Sequence, residues 1–226
     1  VTILAPTQTL LPHIEIEPTK PADATFIMLH GLGADGNDFA PIVLELRLPE
    51  DMAVRFIFPH APSIPVTING GYVMPAWYDI LEMNIERKVD EAHLQASANA
   101  VRALVDREIE RGIDSRRIIV AGFSQGGAVA YQTALTYPKP LAGLMGLSTY
   151  LATVASLKPD PANRDIPIRI CHGTVDSVVP ESLGRAALGH LQTMGYAPEY
   201  STYPMDHSVC LEEIHDISAW IQKVLA

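Results

Sequence analysis

The sequence predicts an α/β fold: a mainly parallel, doubly wound sheet flanked by helices. Three observations carry this. Strand-type and helix-type periodicities alternate along the 226 residues, the rhythm of strands joined by crossover helices. Several strand candidates are continuous apolar runs, as expected of parallel strands covered on both faces. One strand-to-helix junction, Gly122-Phe123-Ser124-Gln125-Gly126-Gly127, has the sharp-turn chemistry that such a sheet places at its carboxyl edge.

The elements follow in order. Residues 13–17 alternate and suit an edge strand, whereas 25–30, 54–59, 117–122, 141–148 and 166–173 read as buried strands. Residues 199–203 are more polar and belong nearer an edge. Helical spacing appears in 37–46 and again in 128–137, directly after the glycine-rich junction. In 90–111, Leu94, Ala98, Val101, Leu104, Val105 and Ile109 share one face, and Gly112 is the stop. A further helix, 181–194, ends at Gly195, and in 211–225 Ile214, Ile217, Ile221 and Leu225 form one stripe with Trp220 beside it. With no internal repeat and no long linker, residues 1–226 are expected to form one domain.

Residues 61–86 break the rhythm with three prolines, the Gly70-Gly71 pair and many apolar side chains. The segment is too apolar for disorder and too long for an ordinary connection. It reads as a flap over the active site, with Ile68, Val73, Met74 and Trp77 as substrate contacts. The plainer alternative is an excursion that covers core edges.

Composition narrows the partners. With 26 acidic against 16 basic side chains the net charge is −10, which excludes a polyanion such as nucleic acid and disfavours docking on anionic lipid. No apolar run approaches the ~18 residues of a membrane span, so no stable membrane insertion is expected. Residues 1–13 lack the basic-then-apolar pattern of a leader. Cys171 and Cys210 have no metal-site spacing. They read as reduced thiols of a cytoplasmic protein, or else as a redox-sensitive pair. The apolar 61–86 segment suits a homodimer contact.

The chemistry starts at Ser124. Gly122 and Gly126 remove side chains that would collide as strand and helix close around it, and the helix then begins beside the hydroxyl. A serine needs a base, and the base needs an orienting acid. On a doubly wound sheet these come from loops after later strands, in the chain order Ser, Asp, His. Asp176 follows the 166–173 strand; Asp160 and Asp165 precede it and emerge at the wrong end. His207 follows 199–203, whereas His93, His190 and His215 lie inside helical patterns. The oxyanion donors are then the N–H of Gln125 and the N–H of Leu32, in the His30-Gly31-Leu32-Gly33 loop after an early strand. His30 reads as a loop-shaping residue. That loop lacks the spacing of a dinucleotide fingerprint and the lysine of a phosphate loop.

These residues, together with Trp77-Tyr78-Asp79, Leu147-Ser148 and His172-Gly173, resemble the small carboxylesterase and acyl-protein thioesterase family. The likeness runs from about residue 13 onward. Thr67-Ile68-Asn69-Gly70-Gly71-Tyr72 and Glu213-Ile214-His215-Asp216-Ile217 are most similar to its bacterial carboxylesterase branch. The resemblance implies an α/β-hydrolase without a large cap domain, with no cofactor and no metal. It implies a serine hydrolase acting on small-molecule or lipid-like acyl esters of short to medium chain. Acyl-protein thioesterase or lysophospholipase activity on the same machinery, or a non-catalytic binding module, are the competing readings. Ser124, Asp176 and His207 match the family's triad, and Leu32 and Gln125 its oxyanion donors. One departure is Asp206, where the family has glycine before the catalytic histidine. A carboxylate there either favours the charged imidazole or constrains the loop.

Overall fold

The computed structural model describes residues 9–83 and 87–226. Residues 1–8, within the stretch read above for a leader, and 84–86, the end of the apolar segment, lie outside the described residues. Among the described residues nine strands form in chain order: β1 (His13–Ile16), β2 (Ala24–Leu29), β3 (Val54–Pro59), β4 (Ser63–Val66), β5 (Tyr72–Pro75), β6 (Ile118–Phe123), β7 (Gly143–Leu147), β8 (Ile168–Gly173) and β9 (Glu199–Tyr203). The α-helices of the described residues are α1 (Ile42–Leu46), α2 (Glu91–Glu110), α3 (Gln125–Leu135), α4 (Glu181–Thr193) and α5 (Leu211–Val224).

The main sheet has the order β1-β3-β2-β6-β7-β8-β9, with β4 and β5 paired separately. β1 runs antiparallel to β3 at one edge, and the remaining pairings are parallel. The order reverses at β2, which pairs with β3 on one side and β6 on the other. Ligand crevices form outside the carboxyl ends of strands at such switch points.

Two cores, one on each face, explain the continuous apolar runs. β2 sends Ile27 and Leu29 into one core and Phe26 and Met28 into the other. The first core takes the apolar faces of α2, α3 and α4; of the predicted stripe, Leu94, Ala98, Val101, Leu104 and Val105 are fully buried there and Ile109 is partly buried against it. The second takes α1 and α5, with Ile217, Trp220 and Ile221 against the sheet. Each large side chain so buried is worth about 1.5–3 kcal/mol. Among the described residues no helix is long and apolar enough to cross a membrane.

The structure differs from expectation at two places. The helix expected over 37–46 is a 3₁₀ turn, Gly36–Asp38, followed by a five-residue helix that starts after Pro41. Proline lacks the N–H a helix interior needs but is tolerated at a helix start, so it divides the run. Within the described part of the 61–86 segment, β4 and β5 pair as an antiparallel hairpin, with Gly70 and Gly71 at φ of 66° and 77° in its connection. It also covers core, since Val66, Ala76, Trp77 and Tyr78 are buried.

The second core contains a buried carboxyl. Glu213 in the first turn of α5 is fully buried, and among the described residues no hydrogen bond of ordinary geometry satisfies either of its oxygens. Burial pushes its pKa up to about 8, against weaker opposing influences from the Cys210 N–H and the Arg169 guanidinium. A folded-state pKa above the unfolded value of about 4.3 makes this group's stabilising contribution complete below that value. The contribution is lost as pH rises through about 8. Glu213→Gln, which mimics the neutral form, is therefore expected to raise the melting temperature relative to wild type at pH 8 by several degrees, at ~2–4 °C per kcal/mol, and much less at pH 5. A gap between the two proteins that does not change with pH would contradict the assignment.

Candidate active site

Four loops at the carboxyl ends of β2, β6, β8 and β9 converge on one place. At the end of β6, Ser124 has φ 53° and ψ −122°, a conformation that an L-residue adopts only under constraint. The constraint is visible. Ser124 N–H donates to the Leu147 carbonyl at 2.9 Å, and the Ser124 carbonyl accepts from Thr149 Oγ1 at 2.6 Å and from Gly127 N–H at 2.9 Å. A Cβ on Gly122 would lie 2.2 Å from the Gly126 carbonyl oxygen, and one on Gly126 would lie 2.5 Å from the carbonyl oxygens of Leu29 and His30. Both glycines of the pentapeptide are thus required by backbone contact.

β8 leads into Asp176, whose side chain is inaccessible to solvent. Its Oδ1 accepts the N–H groups of Val178 and Val179 at 2.9 and 2.8 Å, which leaves Oδ2 for His207 Nδ1 at 2.7 Å. His172 Nε2 stands 3.6 Å from the same Oδ2 and donates to the Val179 carbonyl at 2.8 Å, bracing the loop from below. The His207 ring packs against Phe123, with centroids 4.7 Å apart.

Asp206 has a structural use. Its carboxylate accepts from Ser177 N–H at 2.7 Å, Ser177 Oγ at 2.9 Å and the backbone N–H of His207 at 2.8 Å. The Ser177 N–H first, then the Ser177 hydroxyl and the His207 N–H, hold its carboxyl below the usual carboxylate range. The contact ties the loop bearing Asp176 to the loop bearing His207, so of the two roles open to Asp206 the geometry supports constraint of the loop.

The loop after β2 is anchored from several sides. His30 is buried, accepts Ala61 N–H on Nε2 at 3.0 Å and donates from Nδ1 to the Gly31 carbonyl at 2.7 Å. Burial lowers its pKa, consistent with a neutral, loop-shaping imidazole. Trp77 Nε1 donates to the His30 carbonyl at 2.8 Å, and Gly33 N–H to the Pro75 carbonyl at 2.8 Å. Gln125 clasps the same segment: its Oε1 accepts Trp77 N–H at 2.8 Å and its Nε2 donates to the Tyr78 carbonyl at 2.7 Å. Among the described turn and loop hydrogen bonds, neither Leu32 N–H nor Gln125 N–H is a donor. Two fixed, uncommitted N–H groups beside a strained serine are what an oxyanion hole requires.

A cavity of about 610 Å³ opens over these groups and is lined by Ser124, His207, Leu32, Gln125 and Ile68. That volume is in the ordinary range of ligand pockets. Asp176 stands behind His207, outside the lining. Of the other expected substrate contacts, Trp77 is 1% exposed and held beneath the loop by its bond to His30. Val73 and Met74 lie on β5 and are not among the lining residues. Their places are taken by Phe39, Ile80, Met83, Arg87, Tyr150 and Val178. Tyr150 follows β7, so the strand-end rule that found Asp176 would also have found it. The thiols are free, and burial pushes the Cys171 pKa up to about 12, which makes it a poor partner for redox chemistry.

Comparison with known proteins agrees with this geometry. The family profile described as Phospholipase/Carboxylesterase matches residues 12–225. Acyl-protein thioesterase 1 of Neurospora crassa is 41% identical over 213 residues, covering 89% of this chain and 87% of that protein. Acyl-protein thioesterase 1 of Gibberella zeae is 38% identical, covering 89% and 91%. The crystal structure of Arabidopsis thaliana SOBER1 superposes with a TM-score of 0.84 at 32% identity, covering 90% of this chain and 99% of that one. The similarity holds at the level of the family; these curated relatives are fungal thioesterases, where the sequence motifs pointed to a bacterial carboxylesterase branch.

Proposed function

This chain belongs to the phospholipase/carboxylesterase family, and on that premise we propose that it cleaves acyl esters through a covalent acyl-serine intermediate. His207, oriented by Asp176, takes the Ser124 proton as Oγ attacks the acyl carbonyl. The N–H groups of Leu32 and Gln125 receive the oxyanion, each worth roughly 2.7–4 kcal/mol by analogy with other serine hydrolases. His207 then protonates the leaving group, and in the second half it activates the water that releases the acid. The observation that carries this reading is the 2.7 Å contact of His207 Nδ1 with a solvent-free Asp176, with Ser124 and His207 lining one cavity.

A second reading concerns the leaving group. The relatives named acyl-protein thioesterase support thioesters as substrates beside oxygen esters, and the resemblance to carboxylesterases supports short to medium acyl chains. A thiolate leaves without needing a proton, so the same machinery serves both. Matched thioester and oxygen-ester substrates with one acyl group provide the test. The thioester is expected to have a kcat/KM equal to or above that of the oxygen ester. No turnover of the thioester would restrict the protein to carboxylesterase chemistry. The two free cysteines support a reducing compartment, the cytoplasm, as the place of action.

A further inference from the structure

Beside the catalytic cavity lies a second pocket of about 280 Å³, walled in part by Ser177, Pro180, Ser182 and Leu183. It shares Met83, Arg87 and Val178 with the catalytic cavity, so these three residues form the wall common to both. On its own the second pocket falls below the ~300 Å³ at which ligand pockets begin. As a continuation of the first, it would lengthen it.

Arg87 is an unusual wall. It is 8% exposed, its guanidinium donates to the Val178 carbonyl, and it lies over the Tyr150 ring at 5.3 Å from the centroid. Tyr150 is itself fixed by a 2.7 Å hydrogen bond between its hydroxyl and that of Tyr78. A planar guanidinium held at its edge by a carbonyl and at its face by an aromatic ring is a rigid plate. The rest of the cavity around it is mostly apolar, through Leu32, Phe39, Ile68, Ile80 and Phe123. An alkyl chain that runs along those walls toward the second pocket meets the guanidinium at the wall the two pockets share.

We propose that Arg87, fastened to the Val178 carbonyl, is the partition that limits how long a substrate chain the catalytic cavity accepts. This rests on the ester-hydrolase reading above and assigns a specificity-determining role within it. Removing the plate would join the two pockets. Two newly accommodated methylenes are together worth roughly a tenfold change in kcat/KM.

The test uses the full chain as wild type, Arg87→Ala, and Arg87→Ala combined with Ser182→Trp, which fills the second pocket from its exposed side. Two ester series are measured. In one the acyl group runs from butyryl to palmitoyl with a constant p-nitrophenol leaving group; in the other the alcohol is lengthened at constant acetyl. In the series whose chain runs past Arg87, Arg87→Ala is expected to raise the long-to-short ratio of kcat/KM about tenfold, chiefly through the long substrate's KM. Ser182→Trp is expected to cancel that gain. An unchanged ratio in both series, in protein that a small fluorophosphonate still labels, would overturn the partition. So would a gain that Ser182→Trp leaves intact, because the chain would then not be using the second pocket. If wild type neither hydrolyses an ester nor takes the label, the ester-hydrolase reading fails and the partition falls with it.

Discussion

Replacing Asp176 with asparagine is expected to lower kcat/KM by about 10⁴-fold, the loss seen when the same exchange is made in a serine-protease triad, while the protein still folds. The size follows from hydrogen-bond bookkeeping at one side chain. Oδ1 of Asp176 accepts two backbone N–H groups, from Val178 and Val179. An asparagine placed there keeps its carbonyl oxygen on those two donors, since turning its NH₂ toward them would set donor against donor. Its NH₂ then faces His207 Nδ1, where the carboxylate Oδ2 stood at 2.7 Å. Facing a donor, Nδ1 must accept, so the ring proton moves to Nε2. The nitrogen meant to take the serine proton is then already protonated. Steady-state kinetics on a short-chain ester, with a thermal melt alongside, checks this. A loss of less than tenfold in a folded Asp176→Asn protein would mean that Asp176 does not orient the base.

Gly122→Ala is expected to destabilise the fold strongly. The added methyl would sit 2.2 Å from the Gly126 carbonyl oxygen, 2.3 Å from the Gly126 carbonyl carbon and 2.5 Å from the Gly127 nitrogen. Those are backbone atoms of the turn and of α3, with no flexible side chain to swing away. The strand and helix must separate, and with them go the hydrogen bonds from Ser124 to Leu147 and from Thr149 to Ser124. Overpacking of a rigid interior costs about 1–3 kcal/mol and occasionally more, and backbone overlap puts this case at the upper end. A urea midpoint within error of wild type would contradict the geometry of the turn. Gly189→Ala in α4 is the matched control, because a methyl added there would meet nothing within 4 Å.

What could be read in the sequence depended on how local its cause was. Gly122 and Gly126 carry a nearest-neighbour constraint, so the turn was legible at once. Asp176 and His207 were legible because strand-end loops on a parallel sheet come together by topology, and β8 and β9 are flanked by unambiguous helices. In the run 37–46 the helical spacing of the apolar residues competes with Pro41, a signal equally present in the sequence, and Pro41 decides the structure. Trp77 had no such signal. Its burial depends on the His30 carbonyl, forty-seven residues earlier, and an aromatic in a glycine- and proline-rich stretch looks the same whether it faces solvent, substrate or core. Buried charge was equally silent. Glu108 lies fully buried against Arg55 and Thr25, and Glu213 is fully buried with no side-chain hydrogen-bond partner among the described residues, yet each reads as the polar side of an amphipathic helix. Arg87 falls in the same class, since its role as a cavity wall follows from the Val178 carbonyl and the Tyr150 ring, both distant in sequence.

Whether Ser124 is an activated nucleophile is read out by intact-protein mass after incubation with a fluorophosphonate, with Ser124→Ala treated in parallel. Such reagents capture a serine only where a base withdraws its proton and an oxyanion site receives the phosphoryl oxygen. A single adduct on the wild-type chain, located at Ser124 by peptide mapping and missing from Ser124→Ala, is the predicted result. Folded wild-type protein that stays unlabelled, or an adduct that persists in Ser124→Ala, would contradict it.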